Sequence, residues 1–215
     1  MNDALKNYLH DYILPIYHTF DRAHQEDHVL KVIEESITIA KDYELNMSMV
    51  YTIACYHDIG MQFGREDHHL TGGRFLYEDD HLKTFFSEAE RKMMKEAIED
   101  HRASRKEPPR SIYGKIIAEA DRDIVAETII LRTVQFGFKN YPHLTKEEHK
   151  ERAYLHIKEK YGPDGYLQLW LKTKKNQEGL NKIHALLIEK NEMEKMIETF
   201  YENEKKCKNE DANDM

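Results

Sequence analysis

The stretch ACYHDIG, residues 54–60, closes an apolar run with a histidine and an aspartate side by side. Two ionisable neighbours at such a place are costly to bury unless something binds them. The run before them reads as a buried helix from near Ser48 to Asp58, with Gly60 a natural stop just beyond. At the end of a buried helix His57 and Asp58 can turn toward one point. They could form a hydrogen-bonded buried pair or share a ligand, and the rest of the chain has to decide.

Working outward, apolar residues recur at helical spacing almost everywhere. Val29, Val32, Ile33, Ile37 and Ala40 form one stripe, and Met93, Met94, Ala97 and Ile98 form another. No long stretch alternates with a period of two, so the chain is predicted to be all-α. Ser87 with Glu90 and Thr145 with Glu148 have the spacing of capping boxes. Gly or Pro breaks fall at DIGMQFG, RKEPPRS and KYGPDGY. After Glu127 the texture changes to aromatic-rich segments and then a charged amphipathic helix up to about Tyr201. The expected organisation is a metal-binding helical core over 1–130, a helical appendage packed on the same domain over 131–202, and a tail at 203–215 too polar to offset its ordering entropy.

Composition narrows the function. A formal charge of -8 argues against a nucleic-acid polymer as partner, because non-specific phosphate binding needs clustered cations. The apolar runs are too short to span a bilayer, and the first residues lack the basic start and long apolar stretch of a signal peptide. Two cysteines, Cys55 and Cys207, make no disulfide framework and no Cys-rich zinc pattern, which fits a reducing cytoplasm. Thirteen histidines are the odd entry in the composition.

Three further places put a histidine or aspartate on an apolar helical face. His28 precedes Val32 by four residues, Asp121 follows Ile117 by four, and His101 follows Ala97 and Ile98 by four and three. Any one alone fits a satisfied polar residue of the core. A divalent cation would answer all of them together, including the counter-charge that a buried Asp121 needs.

The order His28, His57-Asp58, Asp121 resembles the HD superfamily of metal-dependent phosphohydrolases. DHVLKVI is similar to the family's first histidine and helix, YHDIG to its doublet, and AEADRDI to its final aspartate; the resemblance covers roughly residues 20 to 125. It implies an HD-domain helical bundle, here with a C-terminal helical appendage. HHLTGGRFL is similar to a His-x-x-x-Gly segment of two-metal members and points to His69, and AIEDHRAS points to His101. Where some cyclic-dinucleotide phosphodiesterases have paired histidines, this chain has Asp100-His101, so their full ligand set is not reproduced.

The resemblance thus implies His28, His57, Asp58 and Asp121 on a first ion, with Asp58 bridging to a second held by His69 and His101. Mixed imidazole and carboxylate donors suit Fe or Mn, with Co, Ni or Zn possible, better than Mg. Two such ions would activate a hydroxide to attack a phosphoryl group, with no protein nucleophile. Asp58, His69, His101 and Arg102 are the expected catalytic groups, and Arg65, Arg102 and Arg105 could take substrate phosphate, with Lys106, Arg22 and Arg122 nearby. Glu66, Asp67, His68 and Asp100 all remain candidates for the leaving-group proton donor, and His24 could line the pocket. The expected function is hydrolysis of a small phosphorylated metabolite, such as a nucleotide or dinucleotide, as a phosphomonoesterase, phosphodiesterase or pyrophosphohydrolase. The alternative is an HD-like regulator that binds a phosphorylated ligand without turnover. A homodimer would use the charged amphipathic helix.

Overall fold

The computed structural model describes residues 2–20 and 26–213. Among them are ten α-helices and no strand, as the helical spacing requires. Arg22 and His24 lie outside the described residues. The chain divides into two compact units, residues 1–122 with 169–173 and residues 123–168 with 174–215. The boundary follows Arg122, ahead of the change expected near 130.

In the first unit α1 (Asp3–Tyr8) continues through a π-helical turn and a 3-10 turn, Leu14–Thr19. Leu5, Leu9, Leu14 and Tyr17 along this segment are essentially inaccessible to solvent, so it is part of the core. Next come α2 (Glu26–Ala40), α3 (Met47–Tyr56), α4 (His68–Glu78), α5 (Glu88–Glu99) and α6 (Ile112–Ala120). Asn46 caps α3, its side-chain oxygen accepting the Ser48 N–H at 3.0 Å. Because α3 is apolar on all faces it has to be enclosed, and α2, α5 and α6 pack around it. Each large aliphatic side chain fully buried there, such as Ile53, contributes about 1.5–3 kcal/mol.

The stripe of α2 is buried at Val29, Val32, Ile33 and Ala40, with Ser36 beside them. On α5, Met94, Ala97 and Ile98 face inward, but Met93 is 39% exposed, because one step around a helix turns a side chain by about 100°. The Ser87–Glu90 capping box forms at its start.

The second unit holds α7 (Ala126–Asn140), α8 (Lys146–Tyr161), α9 (Lys174–Ile188) and α10 (Lys190–Asn213). Thr145 and Glu148 form the capping box of α8. Ile130 and Val134, Ala153 and Ile157, Ile183, Met193 and Ile197 are its buried apolar residues, and Lys146 pairs with Glu198 and Glu202 at 2.5 and 2.6 Å. The charged segment read as one helix is two, α9 and α10, although no Gly or Pro separates them. Helix continues to Asn213, through most of the stretch 203–215 expected to lack stable structure; its Lys and Glu residues are good helix formers. Among the described residues no helix is long and apolar enough to cross a membrane.

Candidate metal centre

Helix ends converge on the doublet in the first unit. His28 lies in the first turn of α2, His57 and Asp58 follow α3, His68 begins α4, His101 follows the C-cap of α5, and Asp121 caps α6. Three of these are C-terminal ends, whose partial negative charge favours a cation.

His28, His57, Asp58 and Asp121 form one group of donors close enough to hold a metal ion. His28 Nε2 lies 3.2 Å from Asp121 Oδ1, 3.3 Å from His57 Nε2 and 3.7 Å from Asp58 Oδ2. His57 Nε2 is 3.4 Å from Asp58 Oδ2 and 3.9 Å from Asp121 Oδ1. Donors bonded to one ion at about 2.0–2.2 Å lie roughly 3.0–3.6 Å apart, so most of these separations fit the edges of one coordination shell.

Asp58, His68 and His101 form a second group. Asp58 Oδ1 is 3.3 Å from His68 Nε2 and 3.4 Å from His101 Nε2. Asp58 therefore turns Oδ2 to one group and Oδ1 to the other. His69, expected in this group, is not in it, and His68 takes the place.

The reason is the start of α4. Adjacent helical residues diverge by about 100°, so only one of the two histidines can face Asp58. A Cβ on Gly60 would lie 1.9 Å from the His68 carbonyl oxygen and 2.6 Å from the Gly72 nitrogen, so α4 rests its first turn on the backbone after the doublet. That contact sets the rotation of α4. Both histidines precede a glycine by four residues, and spacing alone does not choose between them. Gly72 meets Gly60, while Gly73 faces Lys95 of α5. His69 sits edge-on to His68, its Nδ1 buried without a hydrogen-bond partner.

The supporting hydrogen bonds define which nitrogens are available. His57 Nδ1 lies 2.8 Å from the Ala54 carbonyl, His101 Nδ1 2.6 Å from that of Ile98, and His68 Nδ1 2.8 Å from that of Arg65. A carbonyl only accepts, so Nδ1 carries the proton and Nε2 presents a lone pair to the cluster. Three imidazoles oriented in this way beside two carboxylates fit a divalent transition ion, and no thiolate joins them. Sequence reasoning passed over Tyr17, whose O–H donates to the Cys55 carbonyl at 2.9 Å and whose oxygen accepts the Asp58 N–H at 3.3 Å. Its spacing from Leu5, Leu9 and Ile13 marks a core residue and gives no sign of the polar contacts.

The electrostatics are those of a cation site. Burial lowers the affinity of His57 for a proton, yet the charges of Asp58 and Asp121 override it and raise its pKa to about 9. Burial likewise opposes charge on Asp58, but the His57 charge and hydrogen bonds from His101 and His57 hold its carboxyl well below the usual range. Asp121 is also lowered, against its own burial, chiefly by its hydrogen bond with His28. His69 is pushed down to about 4 by burial and by Arg102, so it is neutral near pH 7.

The expected phosphate contacts divide. Arg102 lies close enough to His68 and His69 to lower both pKa values, and its Nη1 donates to the Glu66 carbonyl at 3.0 Å. Arg65 is exposed in the loop before α4, where its carbonyl orients His68. Arg105 is turned away to the buried Asp100, 3.0 Å from Oδ1, because that carboxylate needs counter-charge. Arg110 shares this duty, donating to both Asp100 oxygens, so Asp100 is not free as a proton donor. Arg122 pairs with the buried Glu119.

Residues 26–124 match the HD domain family model. Bacillus subtilis YpgQ, solved in complex with ADP, shares 18% identity and superimposes with a TM-score of 0.56 over 86% of this chain and 90% of that one. A predicted HD superfamily hydrolase from an uncultured Thermotogales bacterium shares 21% identity, with a TM-score of 0.46 over 70% of this chain and 82% of that one. No curated protein matches the sequence. The matched span runs from α2 through the cap of α6, so both donor groups lie within the stretch that is similar to the HD domain.

Proposed function

We propose that this chain is a divalent-metal phosphohydrolase of small phosphorylated metabolites, nucleotides or dinucleotides first among them. The observation that carries the reading is the position of Asp58, which offers one oxygen to each of two imidazole-bearing groups. His28, His57, Asp58 and Asp121 would hold one ion, and Asp58, His68 and His101 a second. Mn or Fe suits this mix of nitrogen and oxygen, and Co, Ni or Zn is compatible with it. A divalent ion bound there supplies an acidified water and draws charge from a phosphoryl oxygen.

The chain's own groups do the rest. Arg102, beside His68 and His69, is placed to bind substrate phosphate, and Arg65 lies in the adjoining loop. A cysteine nucleophile is not needed, and Cys55 is a poor one: it is fully buried, and burial pushes its thiol far above the ordinary range. With Asp100 held by two arginines, Glu66 and Asp67 in the loop before α4 are the remaining carboxyl candidates for the leaving-group proton. The nucleotide class is drawn from the ADP held by YpgQ.

The test is protein purified without chelator, assayed for metal and then against nucleoside phosphates, dinucleotides and sugar phosphates. Metal-dependent phosphate release that disappears in Asp58→Ala is the expected result. A metal-loaded protein that clears no phosphoester from the panel would instead establish a binding module.

A further inference from the structure

We infer that Tyr17 is a positioning residue of the metal centre, its phenol bridging the Cys55 carbonyl and the Asp58 N–H so as to set the aim of the Asp58 carboxylate. The inference rests on the metal-centre reading above.

Tyr17 comes from the 3-10 turn Leu14–Thr19, outside the matched residues 26–124. It is fully buried, and its ring lies 6.3 Å from that of His57 at 28°, with Phe20 packed on it at 5.1 Å. One side chain thus touches both residues of the doublet. The last carbonyls of a helix lack intrahelical donors, and the residue that follows is free to turn. Asp58 is that residue here, with φ -107° and ψ 5°, between α3 and the next turn. Its two oxygens face different donor groups, so a small rotation of its backbone would misdirect both. The Tyr17 hydroxyl ties the end of α3 to the start of that turn, as an outer partner that orients a ligand does elsewhere.

Tyr8 provides an internal contrast. Its hydroxyl is also a hydrogen-bond donor, to Asp79 Oδ2 at 2.7 Å, and that carboxylate belongs to neither donor group.

The experiment titrates Mn2+ into the full-length wild type, Tyr17→Phe and Tyr8→Phe, at a temperature where melting curves show all three folded. Each substitution keeps the ring and removes one hydroxyl. Tyr17→Phe is expected to lower Mn2+ affinity roughly 10–100-fold, with Tyr8→Phe at the wild-type value. Unchanged affinity in Tyr17→Phe, or an equal loss in Tyr8→Phe, overturns the inference and leaves Tyr17 a packing residue. A wild type that binds Mn2+ but hydrolyses nothing overturns the phosphohydrolase reading alone, since the affinity ratio still reads the role of Tyr17. A wild type that binds no Mn2+ overturns both.

Discussion

His57 and Asp58 sit at the enclosed end of α3, buried to 0% and 5% exposure, whereas His68 opens α4 beside an exposed loop. The first group of donors is held by helices whose core stripes decide which way each side chain turns. In the second, His101 is held at the end of α5 in the same way, whereas His68 depends on one backbone contact, Gly60 against the first turn of α4, and on a carbonyl of that loop, Arg65. A ligand on a helix with a clear buried face is therefore dictated by the packing of the core. A ligand at a helix start, next to a residue of the same type, is dictated by a contact between distant glycines.

Breaking that contact has the largest expected effect. In Gly60→Ala the new methyl meets backbone atoms of His68 and Gly72, which cannot step aside as a side chain can. The expected loss is about 3 kcal/mol, at the upper end of ordinary overpacking, read as a lower urea midpoint. Any protein that still folds should keep the first ion and lose the second.

Removing ligands one at a time sharpens the contrast. His57→Ala should lower affinity for the first ion by more than about 100-fold, beyond what an orienting partner alone is worth. His68→Ala should reduce the bound metal from two ions to one, while His69→Ala leaves two. Metal content after gel filtration checks all three. A loss of the second ion in His69→Ala, with His68→Ala unaffected, would restore the assignment drawn from the sequence.

The smallest effect is in pH. With His57 at about 9, the metal-free first group holds a proton at pH 7, and a metal ion has to displace it. Affinity for the first ion should therefore rise by about tenfold from pH 7 to 8 and then level off as pH nears 9, as that single proton becomes easier to remove. Asp58 stays ionised throughout, its carboxyl held low by the charge of His57 and hydrogen bonds from His101 and His57, with burial opposing. Calorimetry in buffers of different ionisation enthalpy reads the proton directly, and no proton release at pH 7 would contradict the electrostatics.

Much of this was legible beforehand. The helical class follows from periodicity and the capping boxes at Ser87 and Thr145 from their residue spacing, while the meeting of His28, His57, Asp58 and Asp121 is what the resemblance to the HD superfamily implies. What was not legible depends on contacts between segments far apart in sequence. Gly60 meeting Gly72 selects His68 over His69, and the buried Asp100 draws Arg105 and Arg110 to itself. Tyr17 shares a helical spacing of buried residues with Leu5, Leu9 and Ile13, which marks it as core, and only the folded chain reveals its two hydrogen bonds.

The most direct measurement is an anomalous-scattering map from crystals soaked in Mn2+. Two peaks are predicted on either side of the Asp58 carboxylate, one ringed by His28, His57 and Asp121, the other by His68 and His101. Density away from Asp58, or a ring of ligands that includes His69 in place of His68, would contradict the account.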